Sequence, residues 1–328
     1  MPDLTTDETA IAAATAGDEH AFGRLTERYR HELHVHCYRM LGNFEDAEDV
    51  VQETLVRAWR ARDRFAGTGF RAWLYKIATN AGLDVIRRRR RLVEKADSFA
   101  EVPWLQPYPD RLLDQAAPAD GEPDAVVVAR ETIELAFLAA IQLLPAQQRA
   151  ILILRDVADW SAKQTAELLD TTVAGVNSAL QRARTTLRTR LPTRDEHTAG
   201  EPTEVERALL DRYIDAHQRG DAVGLTELVR DDIRITMPPR PWVYDGIPSI
   251  APLLQAAFGG TLGDWLLVPT SANRQLAAAN YLRAPDDEVY RAFKLDVFRF
   301  EAGQIAEITT FDNTLFDAFG LPQTMEKA

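Results

Sequence analysis

The stretch Asp46-Ala-Glu-Asp-Val-Val-Gln-Glu-Thr-Leu-Val-Arg-Ala-Trp59 decides how the first half of the chain is read. At 100° per residue, Ala47, Val50, Val51, Thr54 and Ala58 fall on one side of a helix running from Glu45 to Arg60. The other side shows Asp49, Gln52, Glu53, Val56 and Arg60, with Asp46 and Glu48 at its margins. Acids in a helix's first turn are stabilised by the macrodipole, at ~0.3–1 kcal/mol each. Capping and solubility therefore account for them without any function. The functional alternative is an acidic face that docks a basic partner helix.

Working outward, Ala21, Leu25, Tyr29, Leu33 and Cys37 recur at spacing four and predict an amphipathic helix before the break at Gly42-Asn43. Downstream, Gly67-Thr68-Gly69 breaks the chain, and a further helix runs from about Phe70 into the arginines 87–91. Phe65, Phe70, Trp73 and Tyr75 lie beside that glycine loop. Basic groups interleaved with aromatics suit single-stranded DNA, whose phosphates need cations and whose unstacked bases need π faces. Against this, Trp73 and Ile77 at i, i+4 look like core, and at least half of these aromatics are expected to be packing residues. A run of arginines repels itself and requires a polyanion or bulk water.

Charge is segmental. The 328 residues carry a net charge of −12, which taken alone argues against nucleic acid. Residues 57–91, however, hold eleven basic groups against Asp63 and Asp84, and residues 181–194 hold five arginines and no acid. Residues 92–134 and 202–328 are acidic. Two cationic islands in one chain point to two polyanion contacts. The length predicts two or three domains at ~100–200 residues each, and 46% hydrophobic residues exclude wholesale disorder. No run of ~18 apolar residues predicts a membrane span. The polar N-terminus lacks a secretory signal, and one cysteine forms neither an internal disulfide nor a metal site. The expectation is a cytoplasmic protein with no metal, no cofactor and no membrane partner.

Prolines 103, 107, 109, 118 and 123 among scattered acids predict a linker over 94–125 rather than a packed element. Within it, Val102-Pro-Trp-Leu-Gln-Pro-Tyr-Pro-Asp110 is too aromatic for a spacer, and Trp104, Leu105 and Tyr108 are expected to dock on something. Helical periodicity returns from Val126 to Leu191, broken at Leu143-Leu144-Pro145, Trp160-Ser161 and Asp170-Thr171-Thr172. Residues 161–188 have the layout of a helix-turn-helix. Val176, Leu180, Ala183 and Leu187 form the buried face of the second helix. Ala174, Ser178, Gln181, Arg182 and Thr185 form the other, suited to base edges with arginines for phosphates. An ordinary helical hairpin with a solvated basic face remains the alternative at this level.

Beyond residue 204, two helices (206–218 and 222–229) precede strands at 233–237, 265–269, 275–282, 290–300 and 304–311, an independent α+β domain. Lys294 and Asp296 alternate onto one strand face, either a pocket wall or an exposed ion pair on the outer side. His217 is the segment's histidine. Met237, Trp242, Trp265 and Tyr281 are core or pocket lining.

Taken together, 46–59 followed by Phe70-Arg-Ala-Trp-Leu-Tyr-Lys-Ile-Ala-Thr-Asn-Ala-Gly-Leu-Asp-Val-Ile-Arg87 resembles region 2 of an extracytoplasmic-function sigma factor. Leu144-Pro-Ala-Gln-Gln-Arg149 through Asn177-Ser-Ala-Leu-Gln-Arg-Ala-Arg184 resembles its region 4. Asp170 stands where the family usually has a glycine. Residues 204–321 resemble the SnoaL-like, NTF2-like cone, and the 102–110 motif resembles the linker of factors carrying it. The resemblance implies a multidomain chain: an all-α region 2 bundle (10–93), a linker (94–125), an all-α region 4 helix-turn-helix (126–192) and an α+β NTF2-like cone (204–328). It implies docking of Asp46, Asp49, Gln52, Glu53 and Val56 on the clamp helices of RNA polymerase core, with the flap as a further contact. Arg64, Phe65, Phe70, Lys76, Asn80, Arg87 and Arg88 would open and hold the −10 element of promoter DNA. Thr172, Asn177, Ser178, Gln181, Arg182 and Arg184 would read the −35 element. Trp104, Leu105 and Tyr108 would contact the C-terminal domain, which would modulate the factor in cis without being an enzyme. Met237, Trp242, Trp265, Tyr281 and Asp296 would line a pocket for an unidentified small ligand. The rival expectations are a polymerase-independent helix-turn-helix regulator, and a sigma factor whose last domain is a ligand-binding or isomerase-like or cyclase-like enzyme.

Overall fold

The computed structural model describes residues 4–65, 69–93, 102–116, 133–190, 201–260 and 262–326. They belong to two compact units. One comprises Met1–Phe99, Leu112–Thr132 and Ala136–Pro192; the other Ala100–Arg111, Ile133–Leu135 and Thr193–Ala328.

The first unit is helical. It begins with α1 (Leu4–Thr15), α2 (Glu19–Leu41), α3 (Phe44–Arg60), a 3-10 turn (Arg62–Arg64) and α4 (Phe70–Val93). Asp18 caps α2 by accepting from Ala21 N, and Gly42 ends it in the left-handed region at φ 66°. A side chain at Gly42 would also lie 3.0 Å from that of Gln142. Asn43 then caps α3 through Asp46 N. The expected inner face of α3 is buried at all five positions.

A short helix, α5 (Asp110–Ala116), leads on to α6 (Leu135–Gln142) and α7 (Ala146–Leu152), which passes through a π-helical turn (Ile153–Val157). Pro145 sits at the N-cap of α7, where its missing N–H costs nothing. The helix-turn-helix is α8 (Ala162–Leu168), opened by a Ser161–Gln164 capping box, and α9 (Val173–Arg190). Asp170 lies between them at φ 50°, a conformation that aspartate enters at small cost, so the usual glycine is dispensable. Val176, Leu180, Ala183 and Leu187 are buried as their periodicity requires.

In the second unit α10 (Glu204–Gln218) opens on a Thr203–Glu206 capping box, followed by α11 (Ala222–Leu228). The strands are β1 (Val229–Thr236), β2 (Val243–Asp245), β3 (Asp264–Ala272), β4 (Gln275–Arg283), β5 (Val289–Glu301), β6 (Gln304–Asp312) and β7 (Thr324–Glu326). Between β2 and β3 comes α12 (Ile247–Phe258), and α13 (Phe316–Phe319) precedes β7. The sheet runs β2-β1-β6-β5-β4-β3, with β7 paired to β5. Its β1–β6 pair is parallel and the others antiparallel. Leu209, Leu210, Tyr213 and Ala216 of α10 pack with Leu225, Ile250, Trp265, Leu267, Ala278, Phe298 and Ile308 into one core. Helices on one face of a largely antiparallel sheet make the α+β cone that the resemblance implies.

Val102, Leu105, Pro107, Tyr108 and Pro109, inside the expected 94–125 linker, are buried and grouped with the sheet. The helix α12 escaped notice because Pro252 inside it reads as a breaker. Of the expected linker and the start of region 4, 94–101 and 117–132 lie outside the described residues.

Candidate nucleic-acid interface

The outer face of α3 is open to solvent. Asp49, Gln52, Glu53 and Val56 are exposed, Val56 by 42%. Glu53 pairs with Arg57 at 2.7 Å, one turn on. Asp46 differs in having a partner on another helix: its carboxylate is ion-paired with Arg89 of α4, tying the two helices together. Burial pulls the Arg89 pKa down to about 10.

On α4 and the loop before it, Arg64, Asn80, Arg87 and Arg88 are exposed. Arg87 is held by Asp84 at 3.0 Å. Phe70 is 4% exposed, its ring packed on Phe22, Tyr29, Phe65 and Trp73. A ring so enclosed has no face left for a base. Phe65, half-buried at the edge of the cluster, is the aromatic nearer solvent. Lys76 pairs with Asp170 at 3.1 Å and reaches Glu167 O at 3.4 Å. Beneath them His36 Nε2 meets Thr79 Oγ1 at 2.9 Å, and burial keeps His36 neutral, its pKa lowered to about 3.

On α9 and at its cap, Thr172, Asn177, Ser178, Gln181, Arg182 and Arg184 are all exposed. Two of them have local partners. Thr172 Oγ1 accepts from Gly175 N at 3.0 Å and so caps the helix. Arg184 grips Asp156 through two bonds of 2.9 and 2.7 Å, which raises its pKa further. Asn177, Ser178, Gln181 and Arg182 are left as the outward group.

Residues 25–92 match Sigma-70 region 2, and residues 134–187 match Sigma-70, region 4. The ECF RNA polymerase sigma factor SigG of Mycobacterium tuberculosis is 40% identical, over 97% of this chain and 90% of its own. The chain belongs to the extracytoplasmic-function sigma factors. SigW of Bacillus subtilis is 32% identical over 55% of this chain and 94% of its own. The crystal structure of the extracytoplasmic-function sigma factor SigJ of Mycobacterium tuberculosis has a TM-score of 0.58 at 20% identity, covering 90% of this chain and 97% of that one, which shows a shared fold.

This sigma factor also contains two polar constellations that periodicity alone did not reveal. Arg149, 3% exposed on α7, donates to Met40 O at the end of α2 (2.7 Å), to Gln142 Oε1 and O, and to Leu144 O (3.3 Å). Burial, with Arg89 nearby, pulls its pKa down to about 9. In the sheet domain Asp296 faces inward with no exposure, which decides between pocket wall and outer ion pair in favour of the inner face. It accepts from Thr310 Oγ1 at 2.6 Å, Lys294 Nζ at 2.8 Å and Asn280 Nδ2 at 3.0 Å.

Trp265 belongs to that core, edge-on to His217 at 5.1 Å, and burial lowers the His217 pKa to about 3. Tyr281 does not join them. Leu276, Ala278 and Leu282 of β4 belong to the core, so Tyr281 alternates onto the other face and packs on Phe316 at 5.5 Å. Trp242 is 45% exposed under Arg240, and Met237 is half-buried at the end of β1. Among the described residues, no group of three or more His, Cys, Asp or Glu could hold a metal ion. No described helix is long and apolar enough to cross a membrane.

Proposed function

We propose that this sigma factor docks on RNA polymerase core through the outer face of α3, contacts the −10 element with α4 and its preceding loop, and reads the −35 element with α9. The observation that carries the proposal is Val56, 42% exposed among Asp49, Gln52 and Glu53. Val56 gives the acidic face an apolar centre, which a basic partner helix would bury. Asn177, Ser178, Gln181 and Arg182 support the −35 role, since they project from a helix whose other face is buried. The protein would act in the cytoplasm, where polymerase and promoter are.

The sheet domain acts, in this proposal, by contact and not by chemistry. Asp296 is enclosed and already has three protein donors, whereas a general base must reach its substrate's proton. Its effect falls on the rest of the chain in cis, through the segment carrying Leu105 and Tyr108. Asp49→Arg tests the docking face: recovery of core polymerase in a pull-down should drop by about tenfold or more, as like charges oppose a basic partner helix. Undiminished recovery would remove α3 from the interface. A polymerase-independent regulator would instead bind duplex promoter DNA alone as tightly as with polymerase.

A further inference from the structure

The helix-turn-helix is held by the π-helical turn that leads into it, and two adjacent residues of that turn take one helix each. The turn, Ile153–Val157, continues α7, with Ile153 and Leu154 buried. A π turn admits an extra residue and so re-aims the side chains that follow; such turns recur at functional sites. Here Arg155 and Asp156 diverge. Arg155 donates to Trp160 O, at the residue before Ser161, the N-cap of α8. Main-chain bonds close the same loop: Ala158 N donates to Ile153 O and Trp160 N to Leu154 O, each at 2.9 Å. Asp156 turns to α9 instead. Its Oδ2 accepts from Arg184 Nε at 2.9 Å and its Oδ1 from Arg184 Nη2 at 2.7 Å.

We infer that Asp156 is a positioning residue for −35 recognition: with Arg184 as its strut, it sets the angle at which α9 presents its outward side chains, and Arg184 does not itself read DNA. This rests on the −35 role proposed above for α9 and deepens it. Two parallel bonds between a guanidinium and a carboxylate fix direction as well as distance, which one bond does not. Position on the helix agrees. At 100° per residue, Arg184 lies ~70° from the centre of the buried stripe Val176, Leu180, Ala183 and Leu187. It lies ~90° from the centre of Asn177, Ser178, Gln181 and Arg182. Arg184 is therefore on the flank that meets the π turn, off the face left for a groove. The pair is neutral as a whole, so it offers phosphates less than the exposed Arg182 does. With Arg184 52% exposed, the pair contributes little to stability, and its loss is read in recognition instead. A helix that tilts moves its side chains off the base edges, where bases are told apart.

The test reconstitutes holoenzyme from core polymerase and the full chain, and selects bound duplexes from a pool randomised over both promoter elements. Asp156→Asn and Arg184→Ala should each lower discrimination against a single −35 mismatch by about fivefold, with the −10 preference and Tm unchanged. Arg184→Lys should behave like Arg184→Ala, because an ammonium cannot make the fork. On the selected duplex, the slope of log affinity against log salt should stay as in wild type for Arg184→Ala, and shrink by ~0.9 for Arg182→Ala. A slope reduced by ~0.9 in Arg184→Ala would make Arg184 a DNA contact and overturn the strut. An unchanged −35 profile in both variants, or an equal loss on every sequence with a lowered Tm, would overturn the positioning role of Asp156. No −35 preference in wild type would instead overturn the −35 role of α9 beneath it.

Discussion

Replacing Arg149 by methionine should loosen the helical unit in a way its surface would never suggest. The guanidinium is 3% exposed and donates to four acceptors: Met40 O, both oxygens of Gln142 and Leu144 O. Each such charge-assisted bond contributes ~1.5–3 kcal/mol, ~6–12 kcal/mol in gross. Taking the cation out of water costs several kcal/mol of that. Methionine keeps most of the bulk and abolishes the cost of burying charge, but takes the guanidinium donors away from four acceptors. The expected net loss is about 3 kcal/mol, and at ~2–4 °C per kcal/mol for a unit of this size, Tm falls by ~6–12 °C. Arg149→Lys should recover little, because one ammonium on a flexible stem cannot fan out to α2, α6 and the turn before α7. Calorimetry of the full chain measures the shift, and amide exchange at Gly42 N, bonded to Tyr38 O, localises it to the end of α2. A Tm change under ~2 °C would refute the role given to Arg149, by showing that its bonds only repay its desolvation.

Two further outcomes follow from buried charge. Lys294→Met strips the buried Asp296 carboxylate of its cation, and should destabilise the sheet domain by ~3–5 kcal/mol in urea unfolding; adding Asp296→Asn should restore most of that loss, since it removes the orphaned charge. Failure of the double variant to recover would mean that the pair does not act as a unit. The second outcome concerns pH. His36 and His217 have folded pKa values of about 3, and His34 about 4, all lowered first by burial from the ordinary 6.5. Between 6.5 and those values the unfolded chain binds more protons than the folded one, so stability is full above 6.5 and is lost as pH falls. By pH 5 each histidine should cost about 2 kcal/mol. His36→Gln should flatten the fall in Tm between pH 7 and 5, and an unchanged slope would show that His36 does not remain neutral.

The helical half was legible in the sequence because a helix repeats its faces locally. The inner positions of α3 and the buried stripe of α9 depend on spacings of three or four residues, and both are found where those spacings place them. Charge counting by segment likewise located the cationic islands despite the net charge of −12. The five strands of the α+β domain were legible too, because alternation is a local pattern. What local patterns missed was short or interrupted: β2 and β7 have three residues each, and α12 contains a proline.

Which polar groups meet was decided only by tertiary packing. Asp46 and Asp49 lie three residues apart on one helix, yet the first is paired with Arg89 of another helix and the second is exposed. Phe65 and Phe70 flank the same glycine loop, yet Phe70 is enclosed by rings from α2 and α4. Nothing near Asp156 in sequence marks it as the partner of Arg184. Periodicity determines which side of an element is buried, since that depends on helical or strand pitch; the partner a buried donor finds depends on where distant segments converge, and that is set by the fold as a whole.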